Sequence, residues 1–479
     1  MTAAPLWTAD AAAAATGGRA TADFAATGIS IDTRTLEAGD LFVALAGPNF
    51  DGHRFVASAF ASGAAAALVS RDDLEAEGPV VVVADTMDGL RALAVVSRAR
   101  TDAKIAAITG SVGKTGTKEA LAHVLSQQGS VSASRSSLNN HWGVPLSLAR
   151  MPADTDFGVF EIGMNHAGEI TPLVGMVRPH VAVVTAIAPA HMAFFDSVED
   201  IARAKGEIFS GFTDGGTAII NRDTEYFDLL ADMAHAAGAG AVVSFGRNPK
   251  ADVRLMEAMS TATGTEIDAT WYGDKLSFRV EQPGVHWAYN GLAVLAATVA
   301  MGADLTEAAA ALATLPAIKG RGALHTLPWG DGEIRLIDDA YNANPESMRA
   351  ALDTLGGYAP NGGRRVAIIG DMLELGDGSE EAHAGLAAHL DRNEVDLVFL
   401  AGTEIRALAD RLSGKRIGGM AEDWKALFPM VTAGLRAGDV VTVKASHGIG
   451  LEDLVAALLD NASGGSSPTS SSGIVRNAV

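Results

Sequence analysis

The chain has 479 residues, which at roughly 150 residues per domain leaves room for about three domains. Its formal net charge is −21, from 36 basic and 57 acidic residues, and that excludes a broad nucleic-acid footprint. There is no cysteine, so neither a disulfide framework nor thiolate chemistry is available, and no apolar run approaches the ~20 residues needed to cross a bilayer.

The amino terminus has no basic n-region, and Asp10 interrupts its apolar stretch, so no signal peptide is expected. Over the first hundred residues short β-like runs, Gly39–Ala46 and Pro79–Ala84, are separated by Ala-rich helical stretches. From about Ala103 the alternation of strand and helix becomes regular, with strands expected at Lys104–Thr109, Phe157–Gly163, Val181–Ile187, Thr217–Asn221 and Ala241–Phe245. Such alternation implies a mostly parallel sheet. Residues Asp252–Glu281 alternate polar and apolar, which reads as antiparallel strands added to that sheet, and a helical run opens near Trp287. The segment Lys319–Gly322 marks a domain boundary. Beyond it Glu333–Asp338, Arg365–Gly370, Asp396–Ala401 and Asp439–Lys444 read as strands of a second, doubly wound unit. The Ser/Gly-rich tail from Asn461 is expected to be disordered. The expected fold class is α/β in three domains: a smaller α/β domain over 1–100, a phosphate-loop ATPase-like parallel sheet over 101–318 and a Rossmann-like doubly wound sheet over 319–460, with a tail over 461–479.

The most informative stretch is Ile105–Ala120, where an apolar strand runs into Gly110, Gly113, Lys114 and Thr115 and then into a helix. This is the context of a phosphate-binding loop. Backbone N–H groups over Thr109, Gly110, Ser111, Val112 and Gly113 can face phosphate oxygens, Lys114 adds a point charge, and the Thr115 hydroxyl can ligate Mg²⁺. Ile108 stands where the longer form of the pattern has glycine.

Around this loop are residues with two readings each. Glu161 ends a strand at the edge where open α/β sheets build their sites, and is either a hard ligand for Mg²⁺ or a solvated strand end. His191 lies just past another strand end and is either functional or an ordinary loop residue. Lys205, in the helical stretch Val198–Phe209, reads by default as a solvated residue beside Glu207. Asp338 and Asp339 precede Tyr341, Asn342 and Asn344. That set can grip a ribose or an amino group, or Asn344 can simply cap the next helix. Asn139 and Asn140 form a polar turn that either reaches a ligand or caps. Thr33–Arg34 and Asp51–Arg54 are polar clusters of the first domain, whose arginines fit a diphosphate or the surface.

Taken together the motifs resemble the ATP-dependent Mur ligases of peptidoglycan synthesis. Within that family they resemble the MurF branch, which joins D-alanyl-D-alanine to UDP-N-acetylmuramoyl-tripeptide. The carrying segments are IDTRTLEAGDLFVALAGPNFDGHRFV, TGSVGKTGTKE, SLNNHWGVPLSL, FEIGMNHAGEI, APAHMAFFDSVEDIARAKGEIF and LIDDAYNANPESMRAAL with VAIIGDMLELG. The resemblance implies that the first domain binds the UDP-substrate through Thr33, Arg34, Asn49, Asp51 and His53, with Asn139 and Asn140 from the central domain. It implies that Lys114 and the loop hold ATP, and that Thr115 and Glu161 bind one Mg²⁺. His191 and a carbamylated Lys205 would serve a second ion. Asn290 would face adenine, Arg321 and Asp339 would swing onto the nucleotide with the C-terminal domain, and Asp338, Tyr341, Asn342 and Asn344 would serve the dipeptide or closure. A cytoplasmic monomer with no nucleic-acid partner and no membrane insertion is the accompanying expectation. The chain departs from the family pattern at Trp287 after His286, at His141 after Asn140, at Ala445 and His447 near the last strand, and at Thr33 before Arg34.

Overall fold

The computed structural model describes residues 4–462 apart from 48, 49, 72, 74–76, 191, 214, 262 and 361. Three large sheets follow one another along the chain, with two two-stranded ribbons in the first domain beside them. The first joins β1 (Arg19–Ala20), β2 (Gly28–Ser30), β3 (Asp40–Val43), β4 (Ala66–Val69) and β5 (Val80–Val82) in the order β1-β5-β4-β3-β2, and helix α1 (Thr86–Ala99) leads out of it.

The central sheet contains β6 (Lys104–Thr109), β7 (Val131–Ala133), β8 (Phe157–Glu161), β9 (Val181–Val184), β10 (Thr217–Asn221) and β11 (Ala241–Gly246). It continues through β12 (Val253–Thr261), β13 (Gly264–Trp271) and β14 (Asp274–Val280), in the order β7-β8-β6-β9-β10-β11-β12-β13-β14. The strands up to β12 pair in parallel and the last two join antiparallel, as the change in sequence alternation requires. Both faces of the parallel part are covered, so strand β6 is apolar on both sides. Ala106 and Ile108 pack on one core, and Ile105 and Ala107 on the other. Helices α2 (Lys114–Ser126) and α6 (His286–Ala300) close the first face. Helices α4 (Ile170–Val177) and α5 (Val198–Gly206) close the second.

Helix α3 (Gly143–Ala149) has a double allegiance. Its Val144 and Leu148 enter the central core, while Leu146 and Ala149 complete the core of the first sheet beside Leu41, Leu68 and Leu93. Trp7 donates its indole N–H to the Ala149 carbonyl at 3.0 Å, and Arg150 reaches the Ile29 carbonyl at 2.7 Å.

The third sheet, β15 (Ala323–Trp329), β16 (Gly332–Asp338), β17 (Arg365–Gly370), β18 (Leu397–Ala401), β19 (Ile417–Ala421) and β20 (Val440–Lys444), runs in the order β15-β16-β20-β17-β18-β19. Only β15 is antiparallel, so the unit is doubly wound as expected. Helices α7 (Pro345–Gly356) and α8 (Leu451–Ala462) belong to it. Asn461 and Ala462 still end α8 instead of opening the tail; the remaining tail lies outside the described residues. Among the described residues no helix is long and apolar enough to cross a membrane.

Candidate active site

Strand register brings the chemistry to one edge. In the parallel sheet Ile108 lies opposite Glu161 and Thr109 opposite Val184, so the carboxyl ends of β6, β8 and β9 open at the same level. The turn from β6 into α2 has Gly110 at φ 149° and Gly113 at φ 87°. A Cβ at Gly110 would come within 2.0 Å of the Thr185 hydroxyl, so only glycine lets the loop lie this close to β9. The loop is stapled there: Thr185 donates to the Val112 carbonyl at 2.6 Å, and Ser111 exchanges hydrogen bonds with the backbone of Ala188 at 2.9 and 3.0 Å. Neither contact was legible beforehand, because both are long-range and involve residue types common in any loop.

Lys114 opens α2 and folds back to donate to the Gly110 carbonyl at 2.7 Å. Burial lowers the pKa of its ammonium, the Glu161 carboxylate pulls it back up, and the Arg321 guanidinium lowers it again. Glu161 is 1 % exposed. One carboxylate oxygen accepts from the Asn139 amide at 2.7 Å, and the other is buried with no partner among the described residues. A partnerless carboxylate oxygen aimed into a polar cleft suits a hard divalent cation.

These residues share a cavity of about 230 Å³ with the third domain. The central unit contributes Ser111 to Thr115, Ser137, Asn139, Glu161 and Gly163 to Asn165; the third contributes Arg321, Tyr341 to Asn344 and Ser347. Arg321 bridges the two. Its guanidinium donates to the Thr115 hydroxyl at 3.1 Å and lies 4.4 Å from the centre of the Tyr341 ring, which also lies 5.5 Å from the His447 ring.

Lys205 departs from its default reading. It is 1 % exposed, and no hydrogen bond or ion pair to its ammonium is found among the described residues. Glu207 is committed elsewhere, accepting from the N–H groups of Gly168 and Thr171. Burial, with Lys114 as a nearby positive charge, drives the pKa of Lys205 well below the ordinary lysine value. The expected helix also changes character, becoming 3₁₀ over Glu207–Gly211.

Other candidates fall at the margins. Asn290 is buried against the loop, its amide next to Gly113 and Gly116. Asp338 does not line the cavity. It accepts from the N–H groups of Gly320 and Ala340, pinning the interdomain segment, and burial raises its pKa. Asp339 is held by Lys444 at 2.8 Å. Asn140 accepts from the Gly143 N–H and so caps its turn. In the first domain Arg34 is exposed and paired with Asp32 at 2.6 Å, while Thr33 is half-buried beside it. His53 accepts the Ser70 N–H on Nε2, which leaves Nδ1 to donate to Asp51 at 2.7 Å. Asn49 and His191 lie outside the described residues. A larger cavity of about 660 Å³ sits at the opposite, amino-terminal end of the sheet, lined by Arg178, His180 and Ser210, and holds none of these groups.

Asn344 caps α7, with its side chain on the Ser347 N–H and the Ser347 hydroxyl on its own N–H. Asn344→Ala should therefore cost about 1 kcal/mol, and Asn344→Asp almost nothing. A thermal melt in which both variants behave alike would show that the cap is not what Asn344 contributes.

The chain matches three family models: Mur ligase family, catalytic domain, over 25–105; Mur ligase middle domain over 108–298; and Mur ligase, glutamate ligase domain, over 326–447. It is 37% identical over 443 residues to the UDP-N-acetylmuramoyl-tripeptide--D-alanyl-D-alanine ligase of Escherichia coli K12, covering 92% of this chain and 95% of that protein. Among solved structures it is similar to MurF from Acinetobacter baumannii, at TM-score 0.80 and 30% identity, covering 95% of this chain and 99% of the other. It is also similar to MurF ligase from Thermotoga maritima in complex with ADP, at TM-score 0.74 and 25% identity over 91% and 98% of the two chains.

Proposed function

The chain belongs to the Mur ligase family, and we propose that it joins D-alanyl-D-alanine to UDP-N-acetylmuramoyl-tripeptide with cleavage of ATP. It is an ATP-dependent ligase of peptidoglycan synthesis, with a three-domain α/β fold. The reading of the site rests on one observation: the phosphate loop with Lys114, the partnerless oxygen of Glu161 and the incoming Arg321 of the third domain all face one polar cavity.

A carboxylate is a poor acyl donor at neutral pH. Transfer of the γ-phosphoryl group to the tripeptide carboxylate breaks the β–γ bond of ATP, releases ADP and leaves an acyl phosphate. The free amine of the dipeptide then attacks the acyl carbon, loses a proton, and inorganic phosphate departs. The chain's own part is positioning and charge compensation. Loop N–H groups and Lys114 hold the phosphates, Asn139 orients Glu161, and Arg321 adds positive charge from the third domain. Thr115 and Glu161 would hold one Mg²⁺, with His191 and Lys205 assigned to a second, and bound metal would neutralise charge on the phosphates. The neutral amine that burial favours at Lys205 would be the form that adds CO₂: its nitrogen forms the N–C bond and gives up a proton to solvent, and the resulting carbamate anion would serve as a metal ligand. Asp338, pinning the segment at Gly320, fixes the pivot about which the third domain closes and excludes water. The first domain takes the UDP moiety. Localisation to the cytoplasm and a monomeric state complete the proposal.

Phosphate release should require ATP, Mg²⁺, UDP-N-acetylmuramoyl-tripeptide and D-alanyl-D-alanine together. Equal turnover with a UDP-dipeptide and a free amino acid would move the chain to another branch. Hydrolysis of ATP with no sugar nucleotide present would make it a simple ATPase.

A further inference from the structure

Lys118 lies one turn beyond Lys114 on α2 and is fully buried. Its ammonium is saturated. It donates to the Ser134 carbonyl at 2.7 Å, to the Ser136 carbonyl at 3.0 Å and to the Glu119 carboxylate at 2.5 Å. A lysine taken wholly out of water is expensive and is kept only where its three donors have partners. Two of those partners are backbone carbonyls of one short segment, and that segment leads to the site.

The segment 134–139 is fixed at both ends to the strand that carries Glu161. At its start Ser134 donates its N–H to the Val159 carbonyl at 3.1 Å, and its hydroxyl accepts the Glu161 N–H at 3.2 Å. At its end Asn139 donates its amide to the Glu161 carboxylate at 2.7 Å, and its carbonyl accepts the Gly163 N–H at 2.8 Å. Between them Ser136 has φ 50°, a left-handed conformation that a serine adopts only when held. Lys118 ties the carbonyls on either side of the turn, and the Leu138 N–H closes it on the Arg135 carbonyl at 3.2 Å. Without the ammonium, two carbonyls lose their partner and the left-handed turn loses one of its ties.

We infer that Lys118 is a positioning residue. It locks the helix whose first turn grips the phosphates to the segment whose last residue orients Glu161, and so sets the spacing between nucleotide and metal carboxylate. This rests on the reading of Glu161 as a Mg²⁺ ligand. The side chain does not line the cavity, whereas Ser137 and Asn139 of the segment it holds do.

The test is calorimetric titration of the full-length protein with ADP, with and without Mg²⁺. Wild-type protein should bind ADP more tightly with Mg²⁺. In Lys118→Met the Mg²⁺-free affinity should stay within about twofold, because the loop amides and Lys114 are untouched, while the gain from Mg²⁺ should fall about tenfold. Asn139→Ala should lower the gain similarly, and the double variant should lower it no further, as expected of two residues acting through one carboxylate. Should the methionine variant fail to fold, Lys118→Arg keeps the charge but not the geometry and should lower the gain about threefold. An unchanged gain in a folded variant, equal loss of both affinities, or additive effects with Asn139 would overturn the inference. Absence of any Mg²⁺ gain in the wild type would overturn the metal reading and this inference with it.

Discussion

Lys114→Ala is expected to lower turnover by at least about 10³-fold while leaving affinity for the UDP-substrate within about twofold. The magnitude follows from where the ammonium sits. It lies at the mouth of the loop, beside Glu161 and Arg321, in a setting where burial strengthens every charge interaction. The charge that migrates during phosphoryl transfer is spread over equatorial oxygens, and a fixed cation there acts in the transition state more than in the ground state. The UDP-substrate is assigned to another sheet, so its binding should not register the loss. Lys114→Arg should not restore activity, because a planar guanidinium cannot take the place of a compact ammonium folded onto the Gly110 carbonyl. Steady-state phosphate release and isothermal titration with the UDP-substrate measure the two halves. Undiminished turnover in the alanine variant removes Lys114 from the reaction.

The second large effect runs in opposite directions on activity and stability. Lys205→Met should cost about 10²–10³-fold in turnover, the range found when one charge-stabilising group is removed, and should raise the stability of the ligand-free protein. Folding buries the lysine, with no partner for its ammonium among the described residues, and drives its pKa well below 10.5. Between the folded and unfolded pKa values the unfolded chain binds the extra proton, so stability rises as pH climbs toward 10.5. Methionine has no such proton. Its variant should melt higher near neutral pH, by about 2–4 °C for each kcal/mol relieved, with a flatter pH dependence. The carbamate has its own signature: removal of bicarbonate should depress wild-type turnover reversibly and leave the methionine variant indifferent. A variant that melts lower, or that turns over normally, contradicts the assignment.

Much of the fold was written in local pattern. The continuous apolar runs of β6, β10 and β17 gave their limits directly, because a strand buried on both faces leaves no polar residue inside it. Ends were less legible: β8 and β9 stop at Glu161 and Val184, since the following residues turn outward to form the site. The phosphate loop was legible because glycine spacing is dictated by backbone approach. Lys205 was not. A helical lysine reads as solvated, and only the packing of α5 against the second core makes it buried. Lys118 was missed for the same reason, as were the hydrogen bonds by which Asp338 clamps the backbone at Gly320 and Ala340.

Helix α3 places a limit on modular exchange. Because Leu146 and Ala149 belong to the interior of the first domain although they lie more than sixty residues beyond its last strand, a chimaera spliced near residue 100 would leave part of that interior behind. A workable graft must carry the stretch through Arg150 as well, and with it Asn139, the partner of Glu161. The interior of the first domain and the side chain that holds Glu161 are thus inherited on one length of chain, and neither can be retuned by recombination without the other.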